Sequence, residues 1–136
     1  MEKKTLKAGF IGSGFAARFH YEALQHVFST KVEVAGVYSV ARDEAVAFAA
    51  ERGMKVYDTM EELIEDADIL HVCTPPVTHE PIVTAVLSRD KNVIVEKPFT
   101  GYFGDGTPEF NGETFPRERG LEVTLESCRR MLDHGR

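Results

Sequence analysis

The chain has 136 residues, enough for one domain with a single core and too few for two of ordinary size. Apolar residues make up 43% and charged residues 28%, an ordinary globular balance, and a net charge of -6 argues against nucleic acid or an anionic membrane as partner. No apolar run approaches membrane-spanning length, and two cysteines, Cys73 and Cys128, with no evident export segment predict reduced thiols and a cytoplasmic location.

The start, Met1-Glu2-Lys3-Lys4-Thr5, is basic in the manner of a signal peptide, but the apolar run behind it is short and at once broken by glycines. That run, Leu6-Lys7-Ala8-Gly9-Phe10-Ile11-Gly12-Ser13-Gly14-Phe15-Ala16-Ala17, predicts strand, tight turn and helix. Gly12, Gly14 and Ala17 take the three small positions of a dinucleotide-binding fingerprint. Gly12 permits the turn and Gly14 lets a pyrophosphate approach the backbone. Ala17 lets the helix lie close to its strand, so that the N–H groups at the helix start point at the phosphates.

The first helix is expected over residues 15–27, with Ala16, Phe19, Ala23, Leu24 and Val27 as its buried stripe. A β-branched run over 32–38 reads as the second strand, ending at Ser39. A helix over 43–52 turns Ala45, Phe48 and Ala49 inward and stops at Gly53, which suits a left-handed conformation. Residues 55–57 give a brief third strand, and Thr59 and Glu62 have capping-box spacing ahead of Leu63 and Ile64. The fourth strand, 68–73, is apolar enough to be covered on both faces, as a central parallel strand should be. It stops at Thr74-Pro75-Pro76. A helix over 79–88 follows, with Pro81 in its first turn and Ile82, Val83, Val86 and Leu87 packing inward. The fifth strand, 92–95, delivers Glu96-Lys97-Pro98. Strands alternating with helices predict an α/β fold, a doubly wound parallel sheet of about five strands with right-handed crossovers.

Residues 100–123 change character: Gly101, Gly104, Gly106, Gly112 and Gly120, Pro108 and Pro116, and scattered aromatics show no sustained period. They read as a long loop, either a partly ordered insertion or a disordered segment. A final helix from Thr124 sets Leu125, Cys128, Met131 and Leu132 on one side, with Gly135 as its stop. No sixth strand follows, which leaves an open sheet edge and makes self-assembly conceivable.

In open parallel sheets, ligands bind beyond the carboxyl ends of the strands. The unusual residues collect there: Gly12, Ser13 and Gly14, with Phe15 and Ala16 behind them; Ser39; Thr74, Pro75 and Pro76; and Glu96, Lys97 and Pro98. An ammonium at a strand end can stabilise alkoxide character on a reacting oxygen; the plain alternative is an exposed Glu96-Lys97 ion pair. His79 has two roles open to it, a cofactor contact or helix capping and packing. His71 and Cys73, two apart on one strand face, lack the further ligands a zinc site needs, so core packing and no metal are expected. An acidic residue would hold the ribose hydroxyls of NAD at the end of the second strand. Ser39 stands there instead, and with Arg42 nearby it could hold a 2′-phosphate. Asp43 opposes that, and the cofactor expected is NAD or NADP, leaning to NADP.

Three stretches together resemble the Gfo/Idh/MocA family of NAD(P)-dependent oxidoreductases: the glycine run from Gly9 with His20 close behind, Cys73-Thr74-Pro75-Pro76-Val77-Thr78-His79, and Val93-Ile94-Val95-Glu96-Lys97-Pro98. The resemblance covers residues 5–99 and implies a Rossmann fold. It also implies a catalytic Lys97 beside nicotinamide and substrate hydroxyl, with Pro98 shaping the nicotinamide pocket and Thr74, Pro75 and His79 lining the cofactor cleft. It implies hydride transfer to or from a sugar, polyol or inositol-like alcohol. The family's substrate-binding C-terminal α/β domain is absent from this sequence, and the glycine-rich stretch departs from the family's early helix. A truncation, a disrupted gene or an excised domain is therefore expected, with little or no turnover by this chain alone. The expected division is an NAD(P)-binding domain over 1–99, a loop or insertion over 100–123 and a final helix over 124–136. The rival from another class is a stand-alone NAD(P)-binding redox sensor or regulatory module.

Overall fold

The computed structural model describes residues 5–135; the basic start, Met1 to Lys4, lies outside the described residues, as does Arg136. Five strands form one parallel sheet in the order β3-β2-β1-β4-β5: β1 Thr5–Ile11, β2 Lys31–Tyr38, β3 Lys55–Val56, β4 Ile69–Val72 and β5 Asn92–Val95. The helices are α1 Phe15–Leu24, α2 Arg42–Ala50, α3 Met60–Asp66, α4 His79–Leu87 and α5 Arg117–Asp133, with a 3-10 turn at Pro76–Thr78 leading into α4. The strand order reverses between β1 and β4, which opens a crevice at their carboxyl ends.

Alternation along the central strands feeds two cores. Ile11, Leu70 and Val72 pack with Leu63 and Ile64 of α3 and Val86 of α4. On the opposite face Phe10 and Val37 meet Ala17 of α1 and Ala45, Phe48 and Ala49 of α2. The capping box is formed at α3: Thr59 Oγ1 accepts the Glu62 N–H at 3.2 Å and Glu62 Oε2 accepts the Thr59 N–H at 3.3 Å. Gly53 holds a φ of +63°, the left-handed stop expected after α2.

Two helices differ from expectation. α1 ends at Leu24 rather than at residue 27, and of its residues only Ala17 is buried, with Tyr21 and Leu24 laid on the core. Phe19 and Val27, expected inside, are 62% and 39% exposed. Apolar residues run at helical spacing along two faces of this helix, and the face carrying Ala17 is the one that shares a core with Phe10 and Val37. α5 begins at Arg117, not at Thr124, so the irregular stretch stops at Pro116. Gly120 lies inside the helical ladder, its N–H donating to Pro116 O at 3.0 Å. Ser127 and Met131 are the buried residues of α5, whereas Leu125 and Leu132 are largely exposed. The helix docks on α4 through a polar seam: Ser127 Oγ donates to Glu80 Oε2 at 2.6 Å, and Arg130 pairs with the same carboxylate. The segment before α5 is gathered by an aromatic cluster of Tyr102, Phe110 and Phe115.

Candidate cofactor and substrate site

Gly12 closes the first turn. Its N–H donates to Tyr38 O at 2.8 Å, its φ is +99°, and a Cβ there would meet Cys73 O at 2.6 Å. Gly14 differs, because its φ of -79° suits any residue and a Cβ there would meet nothing within 4 Å. The space over Gly14 is free of protein atoms. α1 starts at this point with no side-chain cap and no acid in its first turn, so its leading N–H groups and the positive end of its dipole are left for an anion. Ser13 is buried, and its Oγ lacks a hydrogen-bond partner among the described residues. An orphaned hydroxyl, an uncapped helix start and an open glycine together fit a dinucleotide pyrophosphate.

Around this turn lies a cleft of about 520 Å³, bounded by Gly12, Ser13, Gly14, Ser39, Thr74 and Pro75 among others. Ser39 Oγ accepts the Ala41 N–H at 3.2 Å and shapes the bend after β2. Arg42 does not line the cleft; its guanidinium pairs with Asp58 at 2.7 Å, and Glu44 faces the cleft instead. The phosphate clamp expected from Ser39 and Arg42 is therefore not assembled. The arginine sits in the first turn of α2, where the nearest carboxylate claims it.

His79 is completely buried and does not line the cleft. Its Nε2 lies 2.9 Å from Thr74 O, and its Nδ1 lies 3.1 Å from Pro98 O and 3.2 Å from Phe99 O. It ties the turn after β4 to the turn after β5 from behind, so of its two expected roles the structure shows the packing one. Carbonyl oxygens only accept, so a ring N–H of His79 has an acceptor on either side. Pro76 opens the 3-10 turn, and Pro98 follows a cis peptide bond at an exposed position.

Glu96 and Lys97 border a second cavity of about 730 Å³, walled by Phe15, Ala16, Phe19 and Ile94 and floored by His71. The Glu96 N–H donates to Val72 O at 3.0 Å, which extends the β4–β5 pairing one residue past the strand and fixes where Lys97 emerges. His20 Nε2 lies 2.9 Å from Glu96 Oε1, and chiefly this hydrogen bond holds the Glu96 carboxyl below the usual carboxylate range. Cys73, on the other side of the turn, has its thiol pushed up to about 12 by burial and then by the Glu96 charge. Gly12, Ser13 and Gly14 line the first cavity, and Phe15 and Ala16, which follow them in the chain, line the second. The histidine link to Glu96 was not foreseen; His20 stood out only as a residue near the glycine run.

A glycine turn beneath a free helix start, at the reversal point of a parallel sheet, defines a dinucleotide-binding Rossmann domain. Residues 6–107 match the family described as an oxidoreductase family with NAD-binding Rossmann fold, and the chain belongs to this Gfo/Idh/MocA family as its NAD-binding domain. It is 34% identical over 92 residues to glucose-6-phosphate 3-dehydrogenase of Bacillus subtilis, a match that covers 68% of this chain and 26% of that protein. An uncharacterised oxidoreductase of Schizosaccharomyces pombe is 31% identical over 132 residues, with 93% of this chain and 34% of the relative covered. Among solved structures, myo-inositol dehydrogenase from Lactobacillus casei, in complex with NAD(H) and myo-inositol, superposes with a TM-score of 0.71 at 27% identity. That match covers 96% of this chain and 33% of the other. The chain thus spans about a quarter to a third of the length of these relatives.

Proposed function

We propose that this chain holds the dinucleotide for hydride transfer to or from a secondary alcohol carbon of a sugar, polyol or inositol-like substrate, with Lys97 as the catalytic group. The observation that carries it is the placement of Lys97: it borders a cavity that begins where the Gly12–Gly14 turn ends. The pyrophosphate would rest on the α1 start with Gly12, Ser13 and Gly14, the adenosine half beside Ser39, and the nicotinamide half between Thr74, Pro75 and the Glu96-Lys97-Pro98 turn. NAD, when bound, supplies the hydride acceptor. The Lys97 ammonium donates a hydrogen bond to the substrate oxygen and stabilises the alkoxide character that develops there. Phe15, Phe19 and Ile94 present an apolar wall beside that oxygen.

NAD is favoured over NADP. Arg42 is drawn to Asp58, and the Glu44 carboxylate would repel a 2′-phosphate, whereas the ribose hydroxyls can still be met by Ser39. The NAD(P)-binding unit is 1–99, with residues 100–116 and α5 as an appendage docked on α4 by way of Glu80. This chain alone is expected not to turn over sugar or inositol. Glucose-6-phosphate 3-dehydrogenase and myo-inositol dehydrogenase are matched over only 26% and 33% of their lengths, and we place the substrate-binding surface in the part left unmatched.

Amide chemical-shift mapping tests the placement. Titration with NAD should move Gly12 to Ala16, Ser39 to Ala41, Thr74 and Lys97 together, and NADPH should bind more weakly than NADH. Shifts confined to one cavity, or tighter binding of NADPH, would overturn the placement or the cofactor preference respectively.

A further inference from the structure

A polar chain runs from the sheet to Glu96, the residue before Lys97, on the α1 side. His20 bridges it: Nε2 lies 2.9 Å from Glu96 Oε1, and Nδ1 lies 2.9 Å from Nδ1 of His71, the two rings standing at 81°. His71 is buried against Phe10, and its Nε2 has no hydrogen-bond partner among the described residues. Packing alone does not call for this chain, since an apolar side chain at residue 71 would meet Phe10 without leaving a buried nitrogen unsatisfied.

The hydrogens can be assigned. Glu96 is a carboxylate and only accepts, so His20 Nε2 carries a hydrogen. Between the two Nδ1 atoms lies one more. Burial, and then the charge on His20, pushes His71 down to about 4, so its ring is neutral and carries a single hydrogen. Two arrangements satisfy these conditions. With His20 neutral, His71 donates through Nδ1 and leaves its Nε2 bare. When the chain gains one proton at His71 Nε2, the hydrogen on His71 Nδ1 passes to His20 Nδ1, and His20 becomes a cation donating at both ends.

We propose that His20 is a positioning residue that holds the Glu96 carboxylate and sets how much of the Lys97 ammonium charge that carboxylate compensates. With His20 neutral, Glu96 answers to Lys97 alone; with His20 protonated, the carboxylate is shared between two cations. The ionisable groups facing this link are His71 from β4, Cys73 from the turn after it, and Glu96 and Lys97 from the turn after β5; the Cys73 thiol stays protonated. The proposal rests on Lys97 being the substrate-facing group, but it can be tested on Lys97 itself.

The experiment is a pH titration of the whole chain with its lysine amines dimethylated by carbon-13 and its histidines labelled with nitrogen-15, the Lys97 signal being assigned by its loss in Lys97→Arg. The Lys97 methyl shift should show an inflection at the pH where the His20 ring titrates. That inflection should vanish in His20→Phe and in His20→Gln; the glutamine keeps a donor for Glu96 but cannot titrate, and circular dichroism should show both variants folded. A Lys97 signal without such an inflection, or an inflection that survives in His20→Gln, overturns the proposal. Failure to bind NAD would strike the cofactor placement and leave this titration unchanged.

Discussion

Gly12 and Gly14 stand two residues apart in one turn and are glycines for different reasons. Gly12 is demanded by the protein itself, through its φ of +99° and the carbonyl of Cys73 where a Cβ would stand. Gly12→Ala should therefore destabilise the fold by about 1–3 kcal/mol, read in a urea melt. Gly14 is demanded by nothing in the protein, so Gly14→Val should shift stability by about 1 kcal/mol or less. His79 belongs with Gly12 among the residues that serve the frame. Three carbonyl oxygens converge on its ring, and His79→Asn, too short to reach both turns, should cost about 1–3 kcal/mol for the buried acceptors left unmet. A melt unchanged by that substitution would remove the histidine from the frame. At this scale the sequence was informative where backbone geometry speaks through glycine. It was silent where a contact depends on two distant turns meeting, as with His79, or on a helix and two strands converging, as with His20, His71 and Glu96.

Among the elements, the five strands and the helices between them were legible, because each is short, bounded by turn residues and sided by its apolar period. α1 was placed, but of its expected stripe Phe19, Ala23 and Val27 are exposed and only Leu24 joins Ala17 and Tyr21 at the core, because apolar residues keep helical spacing on more than one face. α5 was shortened by counting Gly120 with the glycine-rich loop, although an interior glycine costs only about 1 kcal/mol and docking on α4 outweighs it. That docking depends on Glu80, whose carboxyl is lowered first by the hydrogen bond from Arg130 and further by Ser127, against the opposing effect of burial. A carboxyl lowered in the folded state contributes stability above its unfolded pKa and loses it as pH falls through the folded one. Wild type should thus exceed Glu80→Gln in urea midpoint at neutral pH, and the gap should close below about pH 4.5. A gap independent of pH would mean that the α4–α5 seam does not rest on this charge.

For the whole molecule, the sheet is covered unevenly. α3 and α4 lie on one side, with α5 docked on α4, whereas on the other α1 and α2 leave Ile94 of β5 and the outer face of α1 bare. Phe15, Phe19, Val27 and Ile94 form an apolar wall beside an unpaired edge strand, a combination that favours association. Light scattering should find self-association rising with concentration, and Phe19→Glu should reduce it; a monomer at all concentrations would mean that the wall is tolerated in water. The identity of a substrate was not legible at any scale, because the glycine turn and the strand-end motifs carry nothing that tells one alcohol from another.

The central claim is that one rim of the sheet, floored by the Gly12–Gly14 turn, holds NAD. Calorimetric titration of the purified chain with NADH, on wild type and Gly14→Val side by side, tests it most directly. Wild type should bind one equivalent, and the valine variant, folded and melting within a few degrees of wild type, should show no binding. Equal affinity in the two proteins would contradict the account.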